Sequence, residues 1–216
     1  MLFRSLGKFI PQIVEVFLHR YFVRGGCVFD PFVGSGTTLV EANAFGIGAV
    51  GCDISAFNCL LCEVKTGAYS LPNLELALKG VLEEARRLTS PADEGEASQW
   101  LKTWYAPRAL SELLAYRSAA QRLDEAHRRV AHVILARSAR SARLTTHFDL
   151  DFPRVPVRGP YQCHKHKRTC TPVSEASKFL RRYTLDTIRR LRDFSLLRSS
   201  NQVCVQIGRA SCRERV

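Results

Sequence analysis

Two hydrophobic periods alternate along the first third of the chain. Over residues 8–24, Phe9, Ile13, Val14, Val16, Phe17 and Phe22 recur near helical spacing, which predicts an amphipathic helix that Arg24-Gly25-Gly26 ends. Cys27-Val28-Phe29 is a short unbroken apolar run, as expected of a strand buried in a parallel sheet. A glycine-rich turn, Val33-Gly34-Ser35-Gly36, leads into a predicted helix from Thr37 to about Phe45, stopped by Gly46-Ile47-Gly48. Ala49-Val50-Gly51-Cys52 predicts a second strand ending at Asp53, and Ser55 is placed to cap a helix through about Lys65. Strand, helix, strand, helix is the opening of a doubly wound α/β sheet.

Further along, residues 73–88 have helical periodicity, and Thr89 to Glu96 is a polar linker rich in helix breakers. Between Pro107 and Ser138 apolar positions recur at three and four, predicting two helices. Residues 145–173 carry Pro153, Pro156, Pro160 and Pro172 with little periodicity, and predict an irregular excursion. Ser174 to Arg198 predicts a strongly basic amphipathic helix, and Val203-Cys204-Val205 a strand. The pattern divides the chain into residues 1–88, a helical insertion at 89–144, a basic and partly irregular segment at 145–206 that returns to the sheet, and residues 207–216. That last stretch resembles the translation of a common sequencing adapter and is expected to be a non-native tail on a chain cut near Gln206.

Composition narrows the class. Of 216 residues, 46% are hydrophobic, enough for a core and against global disorder. Apolar stretches are broken by Arg, Lys, Glu or Gly well before a membrane-spanning length, and the first residues lack a signal-peptide pattern, so a cytoplasmic location and no membrane partner are expected. The net charge of +12 favours a polyanionic partner, because neutralised phosphates release condensed counterions. The eight cysteines, several within apolar runs, read as reduced packing residues.

The chemistry concentrates in Asp30-Pro31-Phe32-Val33-Gly34-Ser35-Gly36-Thr37-Thr38. Its glycines allow a sharp turn and close approach of a ligand, and the helix start beyond offers unpaired N–H groups and a positive dipole end. Asp53 at the end of the second strand stands where a βαβ nucleotide fold places a carboxylate on ribose hydroxyls. A P-loop would require Lys after the last glycine, where Thr37 stands, and a dinucleotide fingerprint would require a third glycine where Leu39 stands.

The nine-residue stretch, with Glu41 beyond it, closely resembles the first cofactor motif of the DNA amino-methyltransferases, which make N4-methylcytosine or N6-methyladenine. The resemblance is clear over about residues 5–70 and fainter at 143–149 and 178–187. It implies a Rossmann-like, S-adenosylmethionine-dependent methyltransferase fold with an incomplete doubly wound sheet and a helical insertion. It also implies Asp30 and Pro31 near the cofactor's amino group, and Phe32, Gly34, Ser35 and Gly36 along its methionine half. Thr37 is implied near the cofactor carboxylate, Asp53 on the ribose and Ile54 against the adenine. Lys8-Phe9-Ile10-Pro11-Gln12 resembles the family's helix-opening motif, which adds Phe9 to the set. The implied partner is double-stranded DNA with the target base flipped out, in the setting of restriction and modification.

Members of that family also carry an acidic or small polar residue followed by Pro-Pro and an aromatic, which holds the target amine in line with the methyl group. No Pro-Pro occurs in the chain, so no catalytic residue is named and the motif is expected beyond Gln206, leaving this chain inactive alone. The alternatives are a methyltransferase acting on a guanine amine in RNA, and a non-catalytic nucleic-acid-binding module on the same fold. Cys59-x-x-Cys62 reads as helix packing. Cys163-His164-Lys165-His166 with Cys170 has zinc-ligating atoms, but Lys165, Lys167 and Arg168 oppose a cation, so no metal is expected and the cluster is assigned to DNA phosphates. Arg181, Arg182, Arg189, Arg190, Arg192 and Arg198 face either phosphate or solvent.

Overall fold

The computed structural model describes residues 10–23, 25–88, 97–147 and 153–208; Lys8, Phe9, the linker at 89–96, Phe148, Asp149 and the chain from 209 onward lie outside the described residues. In order, the elements are α1 (Pro11–Tyr21), β1 (Cys27–Asp30), α2 (Thr37–Ala44), β2 (Gly48–Asp53), α3 (Ala56–Thr66) and α4 (Leu71–Leu88). There follow α5 (Gln99–Trp104), α6 (Pro107–Ala120), α7 (Glu125–Ala142), β3 (Tyr161–Cys163), β4 (Arg168–Cys170), α8 (Ser177–Ser195) and β5 (Val203–Ile207). They form two compact units, residues 1–71 with 188–216, and residues 72–187.

In the first unit β1, β2 and β5 form a parallel sheet in the order β1-β2-β5, with Cys27 opposite Gly48 and Asp53 opposite Ile207. Parallel neighbours need crossover connections, and helices supply them. α2 packs on β1 and β2, α3 on β2 and β5, and α1 against α2. The shared core contains Val14, Leu18, Val33, Leu39, Ala42, Ile47, Ala49 and Cys62. The chain is therefore a mixed α/β protein with a parallel sheet.

The boundaries follow local chemistry. Pro11 opens α1, where its missing N–H costs nothing. The Ser55 hydroxyl accepts from the Asn58 N–H and caps α3, as the sequence predicts. Two asparagines tie the entry of β5 to the end of α2. The fully buried Asn43 donates from Nδ2 to the Asn201 carbonyl at 2.9 Å, and Asn201 donates in turn to the Gly46 carbonyl. β5 continues to Ile207, inside the stretch assigned to a tail; main-chain pairing is indifferent to side-chain origin, and Gly208 adds an N–H bond to the Asp53 carbonyl at 2.9 Å.

In the second unit, α6 and α7 pack against each other, and Tyr116 on α6 and Val130 and Ile134 on α7 are fully buried. Asp124 caps α7 by accepting from the His127 N–H. The buried Glu112 accepts from the N–H groups of Ala176 and Ser177 at 2.6 and 2.8 Å, satisfying donors at the start of α8. Arg137 reaches Thr187 Oγ1 at 2.9 Å and Asp186 at 2.5 Å while its guanidinium lies 4.3 Å over the Tyr183 ring. Two features were not foreseen. α5 has only six residues, too few to display a period, and the stretch predicted as irregular holds the antiparallel pair β3-β4, whose three-residue strands are too short to show alternation. Among the described residues no helix is long and apolar enough to cross a membrane.

Leu39 projects from α2 into the centre of the first unit and is fully buried. Leu39→Ala should lower unfolding stability by about 2–5 kcal/mol. A urea titration giving a loss below about 1 kcal/mol would show that this core is not organised around it.

Candidate functional site

The turn between β1 and α2 is shaped by main-chain bonds and two left-handed glycines. Val33 N–H bonds the Cys52 carbonyl at 3.0 Å, and Gly36 N–H closes the turn onto the Val33 carbonyl at 2.7 Å. Gly34 has φ 50° and Gly36 φ 80°, conformations that L side chains resist. Gly36 is needed for a second reason: a Cβ there would stand 2.7 Å from Cys62 Sγ. Gly36 is also the N-cap of α2 and gives it no side-chain cap, so the first N–H groups of that helix open onto the turn.

Asp53, at the end of β2, ties the turn to the next strand. Its Oδ2 accepts from Gly34 N–H at 2.9 Å and from Asn58 Nδ2 at 3.1 Å, and its Oδ1 accepts from Ser55 N–H at 2.8 Å. Burial alone would raise its pKa, but these three donors outweigh burial and hold the carboxyl below the usual aspartate range. Three bonds leave one acceptor position, on Oδ1, for a further hydroxyl.

Most residues singled out from the sequence lie along this one feature. Asp30 ends β1 and its Oδ1 accepts from Phe32 N–H at 3.0 Å; Pro31, Phe32, Gly34, Ser35 and Gly36 form the turn; Thr37 starts α2. Phe32 and Ile54, which follow β1 and β2, are 85% and 71% exposed, large apolar side chains held in solvent. Phe9 lies outside the described residues.

Two participants were missed, and Cys62, read from the sequence as helix packing, packs under the turn. Asn58 braces Asp53 from the first turn of α3, Lys65 on the same helix is buried and donates to the Ser35 carbonyl, and Cys62 floors Gly36. Cys59 and Cys62 are both buried, and their thiols donate to carbonyls, that of Cys62 to Gly34. Burial pushes the Cys62 thiol up to about 12, as befits packing rather than redox chemistry. Glu41 has a raised carboxyl pKa from burial and the charge of Glu15.

A family model described as DNA methylase matches residues 8–63, the span that contains the turn, Asp53 and Asn58. A Type II methyltransferase, M.MjaII of Methanocaldococcus jannaschii, is 34% identical over 89% of this chain and 49% of its own length. By these two matches the chain is similar to the DNA amino-methyltransferases. Other relatives match more locally: M.MvaI of Kocuria varians, 34% identical over 32% of this chain and 15% of the relative, and M.BsoBI of Geobacillus stearothermophilus, 32% identical over 35% and 15%. The chain thus spans about half the length of the first relative and a smaller share of the others. No solved structure matches.

The left-handed backbone and the Cys62 contact can be separated. Gly36→Ala should lower stability by more than about 1 kcal/mol. The loss should be smaller when measured in a Cys62→Ala background, where the steric part is relieved; equal losses in both backgrounds would remove Cys62 from the argument. The aspartate has its own signature. Because its folded pKa is lowered, its stabilisation is complete above the ordinary value of 3.8 and is lost as pH falls through the lower folded value. Wild type and Asp53→Asn should therefore differ in denaturation midpoint at neutral pH and converge in strong acid.

Proposed function

We propose that this chain is the cofactor-binding part of an S-adenosylmethionine-dependent DNA methyltransferase that modifies an exocyclic amine, N4 of cytosine or N6 of adenine. The observation that carries the reading is the acceptor position left on Asp53 beside an uncapped helix start and two exposed apolar side chains. The three together match a nucleoside carrying an amino acid. Asp53 Oδ1 takes a ribose hydroxyl, Ile54 covers the adenine, and the N–H groups at the start of α2, with Thr37, receive the carboxylate. Asp30 and Pro31 lie toward the amino group, and Phe32, Gly34, Ser35 and Gly36 line the methionine chain, with Phe9 added by the helix-opening motif.

The fold consistent with this role is the Rossmann-like methyltransferase architecture, its doubly wound sheet represented by β1, β2 and β5. When bound, S-adenosylmethionine supplies a methyl group activated on a sulfonium. The residues named here bind and orient; the acceptor amine and any group that aligns it are unassigned, and the chain holds no Pro-Pro pair. The substrate reading rests on the DNA methylase family match and on relatives named as Type II methyltransferases, which favour DNA over an RNA guanine amine. A net charge of +12 and the exposed Arg181, Arg182, Arg189 and Arg192 of α8 suit a phosphate backbone. A base extruded from the duplex presents its amine to such a site.

Calorimetric titration of the full chain with S-adenosylmethionine tests the cofactor assignment. Saturable binding is expected, reduced at least tenfold in Asp53→Ala and in Gly34→Asp, which places a carboxylate against the cofactor's own. A chain that is folded by circular dichroism yet shows no heat of binding, or variants that bind as wild type does, would overturn it.

A further inference from the structure

The strongest feature outside the cofactor turn is a knot of two cysteines and two histidines in the second unit. His147, Cys163, His166 and Cys170 bring one ligand atom each to within 4.8 Å of one another. Cys163 ends β3 and Cys170 ends β4; His166 sits in the turn between them, and His147 arrives from the segment after α7. The measured edges are Cys163 Sγ to His147 Nδ1 at 3.6 Å, Cys163 Sγ to His166 Nδ1 at 3.7 Å, and His166 Nδ1 to Cys170 Sγ at 3.4 Å. A tetrahedral zinc with Zn–S near 2.3 Å and Zn–N near 2.0–2.1 Å separates sulfur from nitrogen by about 3.6 Å. These three edges match that separation to within about 0.2 Å, and all four atoms lie within 4.8 Å of one another.

We propose that His147, Cys163, His166 and Cys170 form a structural zinc site that holds the β3-β4 hairpin to the segment following α7. Two thiolates and two imidazoles are the ligand set for zinc, and four protein ligands close the shell, which makes the site structural rather than catalytic. Binding one zinc ion displaces the two thiol protons, and the two thiolate charges then balance the metal.

The hairpin needs such a tie. It pairs only three residues on each strand, and two-stranded hairpins of this size are marginal in water. Cys163 and Cys170 are buried all the same, at 3% and 8% exposure, and no disulfide joins them. The turn is wound tightly: Lys167 N–H bonds the Cys163 carbonyl at 2.8 Å and Lys167 adopts φ 54°, a left-handed conformation unfavourable for lysine. That winding brings His166 back onto both sulfurs.

The sequence argued against a metal on two counts, and the geometry answers both. Lys165, Lys167 and Arg168 are exposed, whereas Cys163 and Cys170 are buried. The spacing looked irregular because the fourth ligand, His147, lies 16 residues before Cys163 and outside the visible cluster. Tyr161 competes for one position, since its hydroxyl lies 2.9 Å from His147 Nδ1. It also accepts from the His147 main-chain N–H at 3.0 Å, so metal binding does not orphan it.

The full chain, refolded with zinc under reducing conditions and desalted, should retain about one equivalent by elemental analysis. Cobalt in place of zinc should give the visible bands of a tetrahedral site with two thiolates. Cys163→Ser and Cys170→Ser should each lower retained zinc at least tenfold, and Cys59→Ser with Cys62→Ser should leave it unchanged. Wild-type chain that retains no zinc and shows no tetrahedral cobalt spectrum would overturn the proposal whether or not the variants fold. So would zinc that follows Cys59 and Cys62 instead.

Discussion

A single carboxylate organises the first unit. Asp53 closes β2, and through Oδ2 it holds the Gly34 N–H of the turn that follows β1. Two adjacent parallel strands are thereby joined at their carboxyl ends by a bond that neither sheet pairing nor helix packing supplies. Loss of this bond would leave the turn tied to β2 through the Val33 N–H bond to the Cys52 carbonyl. The same carboxylate engages Ser55 and Asn58, so the start of α3 is positioned by the group that positions the glycine turn. Charge-assisted bonds to several donors are among the stronger polar contacts available, and here they converge on the end of the sheet where open α/β folds place their ligands.

Packing enforces the turn from below. Gly36 lies against Cys62, Gly51 would put a Cβ 2.7 Å from Leu39 Cδ1, and Lys65 is anchored on the Ser35 carbonyl. Gly36 is thus constrained by backbone angle and by its neighbour together, Gly34 by angle and Gly51 by its neighbours. This explains why α3, which contributes no residue to the expected cofactor set, belongs to the same machinery.

The first unit was legible because its signals are local. Apolar runs, the break at Gly46 and the cap at Ser55 each report on neighbours within a few residues, and the nine-residue turn motif is dense enough to point to a family. What escaped depends on contacts distant in sequence. Nothing near Asn43 announces Asn201, nothing near Gly36 announces Cys62, and His147 falls outside any motif that Cys163 and Cys170 would suggest. The hairpin failed for another reason: pairing three residues on each strand leaves no period to read. Among the site residues, Asn58 was within reach, since an amide one turn after an aspartate-serine pair is placed to brace the carboxylate.

The sheet has a further consequence for how the molecule behaves in solution. Among the described residues β1 pairs with β2 alone, so its other side offers main-chain donors and acceptors without a neighbouring strand, and Phe29 on it is 56% exposed. A bare parallel border with an aromatic on it is a template for strand addition. Association of copies through that border, driven by the backbone and opposed by the like charge of a strongly basic chain, would strengthen as salt screens the repulsion. Such association would tie colloidal stability to ionic strength through the open side of β1.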